Sequence, residues 1–317
     1  MKKLLIAAVT TLAFSVPTQA GWFSNYFQYT KTKHPIVLVP GIFAFDSIAG
    51  IDYWYQIPSA IESRGGQVFV PKINAFESSS ERGEELIAQL EEIKASSGGR
   101  INKFNLMGHS QGGMTSRYVM SVRPDLIASV TTMATPHTGS PVAELTTKLA
   151  PEGTGQAGLV ATVGNAVGNV VNLLSNNRAS ESDLYAMLNE FNEAGSASFN
   201  SRYPLGLPAQ ECGEGARSVS INGHNIKLFS WGGVRTVTNI FDPSDLLFSI
   251  TSLAFSGAAS DGVTGKCANH FGRVLRDNYL MNHIDINNHV LGLVSIFDTN
   301  PKTVFKNHAN RLKNMGL

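Results

Sequence analysis

Cysteine is scarce in this 317-residue chain, which has two, Cys212 and Cys267. That excludes the disulfide-dense scaffolds of small secreted domains and a zinc module built on four thiolates. Charge is also sparse and balanced: 25 Lys and Arg against 24 Asp and Glu, together 15% of the residues. Neither sign forms a tract or a tail, so nucleic acid is not indicated as a partner. Internal repeats and low-complexity linkers are lacking, which argues against solenoids and disordered arrays. No apolar run reaches the roughly 20 residues of a membrane-spanning helix. What is present is a 43% hydrophobic, glycine-rich composition typical of globular proteins. The length suits one large α/β domain or two ordinary ones.

The first twenty residues differ from the rest. Lys2 and Lys3 precede an apolar stretch from Leu4 to Val16, and Pro17-Thr18-Gln19-Ala20 resembles a cleavage region. This pattern predicts a signal peptide over 1–20, a mature start near Gly21 and export from the cytoplasm. In an exported chain, two cysteines are most simply one disulfide, Cys212–Cys267.

Further along, Ile36-Val37-Leu38-Val39 ended by Pro40-Gly41 predicts a buried strand of a parallel sheet. Val68 to Pro71 is a weaker strand signal. Ser80 to Ala95 places Leu86, Ile87, Leu90 and Ile93 on one helical face. Ile101 to Met107 reads as a strand, Gly112 to Val122 as a helix, Ile127 to Met133 as the next strand, and Ile226 to Trp231 as sheet. Alternating strands and helices imply a parallel sheet with right-handed crossovers. Between Leu145 and about Phe199 the chain turns rich in Ala, Gly, Val and Asn. A stripe of Val160, Val163, Val167, Val170, Val171 and Leu174, interrupted by glycines, suits a mobile amphipathic cap.

The chemistry lies in Gly108-His109-Ser110-Gln111-Gly112, a G-x-S-x-G pattern between a predicted strand and a predicted helix. That context marks a nucleophile elbow, with Ser110 on a strained turn and the helix N-terminus behind it. An oxyanion hole needs two N–H donors. The residue after the nucleophile, Gln111, supplies one, and Ile42, in the Pro40-Gly41-Ile42 loop after the first strand, is the candidate for the other. The base must be a histidine after the serine: His224, His270, His283, His289 and His308 qualify by order. His283, in Met281-Asn282-His283-Ile284-Asp285, is the best placed. Asp261, in the glycine-rich turn Ser260–Gly265, suits the acid, with Asp242, Asp245 and Asp277 as competitors.

Taken together, the segments PIVLVPGIFAFD (35–46), NLMGHSQGGMTSR (105–117), TTMATPHTGSP (131–141), SDGVTGKC (260–267), RDNYLMNHID (276–285) and HANRLKN (308–314) resemble the secreted, foldase-dependent triacylglycerol lipases of Gram-negative bacteria. The resemblance spans nearly the whole mature chain. It implies an α/β-hydrolase fold, a mostly parallel central sheet flanked by helices, forming a single catalytic domain over 21–317 with a helical lid over about 145–200. It implies Ser110 as nucleophile, Asp261 as acid and His283 as base, with Ile42 and Gln111 as oxyanion donors. It further implies one structural Ca²⁺, held by the carboxylates of Asp242 and Asp285 and the backbone carbonyls of His289 and Leu293. It agrees with the Cys212–Cys267 disulfide. The substrate would be a lipid ester at an oil–water interface, and a dedicated membrane-anchored foldase would assist export through the periplasm to the extracellular medium. Pro40-Gly41 stands where many relatives have His-Gly, Gln111 where some have His, and His289 where Gln is expected. The donors and ligands concerned are backbone groups, which tolerate those changes. The same triad would serve a short-chain carboxylesterase, a phospholipase or an acyltransferase. A non-catalytic binding protein of this fold would be expected to lack a triad member.

Overall fold

A computed structural model describes residues 26–42, 47–48, 51–74, 77–149 and 188–317. The expected signal peptide and most of the expected lid, including its valine stripe, lie outside them.

The described elements in chain order are β1 (Ile36–Val39), a short hairpin of β2 (Ser47–Ile48) and β3 (Ile51–Asp52), α1 (Ile57–Glu62), β4 (Val68–Phe69), α2 (Ser79–Ser96), β5 (Phe104–His109), α3 (Gln111–Val122), β6 (Ile127–Met133), α4 (Pro141–Leu149), α5 (Glu193–Arg202), β7 (Ser218–Ile221), β8 (His224–Gly233), α6 (Ser244–Thr251), β9 (Arg273–Tyr279) and α7 (Pro301–Asn314). The central sheet runs β4-β1-β5-β6-β8, all parallel. The outer edge of β8 is shared: β7 pairs antiparallel with its first half, and β9 parallel with its second. The sheet is therefore mostly parallel, as expected of an α/β hydrolase.

Successive strand residues face opposite sides of a sheet, and here both sides are covered. Ile36, Leu38, Met107, Met133, Phe229 and Trp231 pack against α1 and α7. Val37, Val39, Leu106, Val130 and Leu228 pack against Leu86 and Leu90 of α2 and Val119 of α3. This double burial explains why β1, β5 and β6 read as continuous apolar runs. Helix α2 begins with a capping box, in which the Ser78 side chain and Glu81 satisfy each other's backbone N–H groups.

Cys212 and Cys267 form a disulfide. It ties the loop after α5 to the segment that leads into β9. Among the described residues, no helix is long and apolar enough to cross a membrane.

Candidate active site

Parallel strands deliver loops to one edge of the sheet, beyond their carboxyl ends. Four such loops meet here. Ile42 follows β1, Ser110 follows β5, His283 follows β9, and the turn bearing Asp261 lies between β8 and β9.

The elbow is built by close approach. Ser110 has φ 55° and ψ −128°, a conformation an L-residue rarely adopts, which costs on the order of 1–3 kcal/mol. Glycines make room for it. A Cβ at Gly108 would lie 2.3 Å from the Gly112 oxygen, and one at Gly112 would lie 2.2 Å from the Val39 oxygen. A Cβ at Gly41 would lie 2.7 Å from the Ser110 Cβ. Both glycines of the motif and the glycine of the Pro-Gly turn are thus steric requirements of one contact region.

The three side chains expected to work together are in hydrogen-bonding sequence. Ser110 Oγ lies 3.0 Å from His283 Nε2, and His283 Nδ1 lies 2.9 Å from Asp261 Oδ2. All three are buried. Asp261 Oδ1 accepts the N–H groups of Val263 (2.9 Å) and Thr264 (2.7 Å), so the turn itself orients the carboxylate. The Asp261 backbone carbonyl also accepts the His283 N–H at 3.0 Å. Thr264 Oγ1 donates to the Ala134 carbonyl at 2.9 Å, fastening the turn to the end of β6.

The remaining candidates lie elsewhere. His270 and Asp277 bond to each other at 3.1 Å, with Lys266 beside the carboxylate. His308 lies inside the α7 packing, 2.8 Å from Thr131 Oγ1. His224 opens β8 in the β7–β8 hairpin. His289 is buried, its ring nitrogens have no hydrogen-bond partner among the described residues, and burial lowers its pKa to about 4.

Arg82, which sequence reasoning did not single out, organises the loop after β1. Its guanidinium is fully buried and donates to the carbonyls of Asn74, Pro40 (2.6 Å) and Gly41 (3.1 Å). The Gly41 carbonyl and the Ile42 N–H belong to one trans, planar peptide and point in opposite directions. Drawing the carbonyl toward Arg82 therefore turns the Ile42 N–H away from it. The next peptide back is held at both ends, with the Pro40 carbonyl on Arg82 and the Gly41 N–H donating to Tyr53 Oη at 2.9 Å. Gln111 is the first residue of α3, where helical N–H groups lack intrahelical acceptors. Its side chain donates to the Glu77 carbonyl (2.8 Å) and to Glu190 Oε2 (3.2 Å), while Glu190 also accepts from the N–H and hydroxyl of Ser79.

The family model described as the alpha/beta hydrolase fold matches residues 34–204. A triacylglycerol lipase of Vibrio cholerae is 43% identical over 320 residues, covering 100% of both chains. A triacylglycerol lipase of Burkholderia plantarii is 36% identical, covering 91% of this chain and 88% of its own, and one of Pseudomonas fragi is 32% identical, covering 90% and 98%. The chain belongs to the bacterial triacylglycerol lipase family of α/β hydrolases. Among solved structures, the mature form of a Bacillus licheniformis lipase superposes with a TM-score of 0.58, covering 89% of this chain and 93% of its own. At 18% identity, that similarity speaks to the fold.

Beside the base loop is a cluster of carboxylates. Asn282 organises it: its Oδ1 accepts the N–H groups of Ile284 and Asp285, and its Nδ2 donates to Asp245 Oδ1 at 2.9 Å. Asp245, a competitor for the acid role in the sequence, is occupied with the Thr238 and Asn239 N–H groups. Among the described residues, Asp242 Oδ2 is buried without a hydrogen-bond partner. Burial raises the Asp285 pKa to about 8. Among the described residues, no group of three or more His, Cys, Asp or Glu side chains is arranged to hold a metal. A set of two carboxylates and two backbone carbonyls makes no such demand. The orphaned Asp242 oxygen and the buried Asp285 carboxyl, both hard oxygen donors, fit a calcium ion.

Proposed function

We propose that Ser110, His283 and Asp261 are the catalytic residues of a lipase that hydrolyses acyl glycerol esters through an acyl-enzyme. The observation that carries this reading is the unbroken Ser110–His283–Asp261 hydrogen-bond sequence on a strained elbow. Ser110 Oγ attacks the ester carbonyl, and its proton passes to His283 Nε2. The carbonyl oxygen becomes an oxyanion that accepts hydrogen bonds from the Ile42 and Gln111 N–H groups. Collapse breaks the bond to the alcohol, which leaves with the proton from His283. Water then repeats the sequence on the acyl-enzyme, releasing the fatty acid. Asp261 holds the ring through Nδ1 and offsets the imidazolium charge.

A serine-directed phosphonate should label wild-type protein stoichiometrically and leave Ser110→Ala unlabelled. Emulsified long-chain triacylglycerol should be hydrolysed. Activity confined to dissolved acetate or butyrate esters would assign a carboxylesterase instead, and glycerophospholipid turnover without triacylglycerol turnover a phospholipase. The lid expected over about 145–200 would show as a rise in rate when substrate passes its solubility limit.

For calcium, Asp242 and Asp285 would supply carboxylates, and His289 and Leu293 backbone carbonyls. When bound, the ion would neutralise two buried carboxylates and pin the loop that carries His283. Exhaustive chelation should then lower the melting temperature; an unchanged melting curve would remove the assignment. Export, the signal peptide and a membrane-anchored foldase belong to the same proposal, supported by the N-terminal pattern and the family resemblance. Co-expression with such a foldase should raise the yield of phosphonate-labelled protein, and equal yields would argue against that partner.

A further inference from the structure

His109 occupies the variable position before the nucleophile, and the hydrolytic sequence gives it no task. It is buried, and its ring uses both nitrogens. Nε2 lies 2.8 Å from the backbone carbonyl of His283, and Nδ1 lies 2.6 Å from the Tyr53 hydroxyl. A carbonyl oxygen only accepts, so Nε2 carries the proton. Burial, with His283 nearby, lowers the pKa of His109 well below the ordinary histidine value, which keeps the ring neutral. Nδ1 is therefore an acceptor. The Tyr53 O–H donates to it, and the Tyr53 oxygen accepts the Gly41 N–H at 2.9 Å. Burial also raises the pKa of the Tyr53 phenol, so it keeps its proton.

These bonds have one consistent direction, from Gly41 through Tyr53 to His109 and on to His283. Each end is a peptide unit already gripped on its other side. At the oxyanion loop, the Pro40 carbonyl accepts from Arg82 while the Gly41 N–H donates to Tyr53. At the base, the His283 carbonyl accepts from His109 while the Ile284 N–H donates to Asn282 Oδ1 at 3.0 Å. The linkage runs through the residue that immediately precedes Ser110 in the chain.

We propose that His109 is a positioning residue that, through Tyr53, locks the backbone of the catalytic base to the oxyanion loop, so that His283 Nε2 and the Ile42 N–H keep a fixed relation around Ser110. The proposal rests on the reading of Ser110, His283 and Asp261 as the catalytic residues. Misplacing reacting groups by about 1 Å costs on the order of a hundredfold in rate. The energy at stake should appear in turnover rather than in substrate binding, because His109 is buried with both ring nitrogens bonded within the protein.

The test compares His109→Leu, His109→Gln and Tyr53→Phe on a soluble ester, with kcat and KM expressed per site titrated by the phosphonate. Titration removes any unfolded fraction from the comparison. His109→Leu removes both bonds and should lower kcat by about 30- to 100-fold with KM within about threefold. His109→Gln restores an N–H for the His283 carbonyl and should recover roughly tenfold of that loss. Tyr53→Phe should lower kcat by roughly three- to tenfold. A His109→Leu enzyme within twofold of wild type per titrated site would overturn the proposal. So would a His109→Gln enzyme no better than the leucine variant, which would reduce His109 to filling space. Should His109→Leu fail to fold, Tyr53→Phe decides, and an unchanged kcat there refutes the linkage. Ser110→Ala separates the two layers. If it still turns over, the catalytic reading falls and takes this proposal with it. If it is inactive while the His109 variants are normal, the positioning role alone falls.

Discussion

Replacing Asp261 with asparagine changes one oxygen to an amide nitrogen in a place where the structure dictates which one. Oδ1 accepts two backbone N–H groups, from Val263 and Thr264, at 2.9 and 2.7 Å. An amide NH₂ there would face two donors, forfeiting two hydrogen bonds at roughly 1 kcal/mol each and leaving donors opposed. The asparagine oxygen therefore takes the Oδ1 position, and its NH₂ takes the Oδ2 position, 2.9 Å from His283 Nδ1 in the native protein. A donor at that point requires Nδ1 to be the acceptor, so the neutral ring carries its proton on Nε2. That proton is directed at Ser110 Oγ, 3.0 Å away, and Nε2 can no longer take the serine proton. The same tautomer error in a serine protease, produced by exchanging the triad aspartate for asparagine, costs about 10⁴ in kcat, or roughly 5.5 kcal/mol. We expect a loss of that order for Asp261→Asn, with folding stability changed by about 1 kcal/mol or less because both turn hydrogen bonds survive. The assay is kcat per folded molecule alongside thermal unfolding, with Asp261→Ala for comparison. An Asp261→Asn enzyme that kept more than a tenth of wild-type kcat would refute both the tautomer argument and the role of Asp261.

Two further predictions concern groups outside the triad. Gly41→Ala places a Cβ 2.7 Å from the Ser110 Cβ and 3.0 Å from Tyr53 Oη, so the oxyanion loop must shift. We expect the rate of phosphonate labelling to drop by roughly a hundredfold, the lower end of the effect of one lost oxyanion donor, and an unchanged labelling rate would contradict the proposed closeness of that loop. The second is acid sensitivity from His137 and His308, whose pKa values burial lowers well below the ordinary range. Each ring accepts at Nδ1 from a guanidinium, Arg117 at 3.1 Å and Arg311 at 2.9 Å, so neither is protonated in the fold. The unfolded chain binds these protons below about pH 6.5 and the native chain does not, so stability falls as pH drops. The two together should contribute a slope that approaches about 2.7 kcal/mol per pH unit once the pH is about one unit below that value. Denaturant titrations between pH 7 and 5 should show His308→Gln halving this share of the slope, and an unaltered slope would exclude His308 as a source.

The parts of the fold that the sequence makes legible share one property: their constraints are local. Strands β1, β5 and β6 are buried on both faces, so each is a continuous apolar run ended by a turn signal. The elbow is legible because its glycines answer clashes within a few residues and with the neighbouring strand end. Strand β9 is not legible as a strand, because it is half-exposed along Arg273–Tyr279 and carries charges among its apolar residues. Helix α7 reads in the sequence only as an Asn- and His-rich ending. Its buried face is Val304, Phe305, His308, Ala309 and Leu312, and the histidine at the centre of that stripe hides the apolar period.

The candidate site divides in the same way. Order along the chain restricts the base to a few histidines, but Ser110 and His283 are 173 residues apart, and spacing says nothing about such a pair. Physics alone leaves Asp261 in competition with Asp242, Asp245 and Asp277, and the family resemblance makes the choice. In the fold the competitors have other partners: backbone amides for Asp245, His270 for Asp277, and Ser244 for Asp242. Arg82 is the hardest to foresee. Within Ser79–Ser96 it sits among glutamates and reads as a solvent-facing charge, yet it is fully buried. A charge can be buried when its hydrogen bonds are met, and the acceptors here are the carbonyls of Pro40, Gly41 and Asn74 in loops some distance away in sequence. With the Gly41 carbonyl on Arg82, the Ile42 N–H of the same trans peptide points away from the guanidinium. The buried cation and the proposed oxyanion donor thus lie on opposite sides of the Gly41–Ile42 peptide, and neither is visible until the strands have been set side by side.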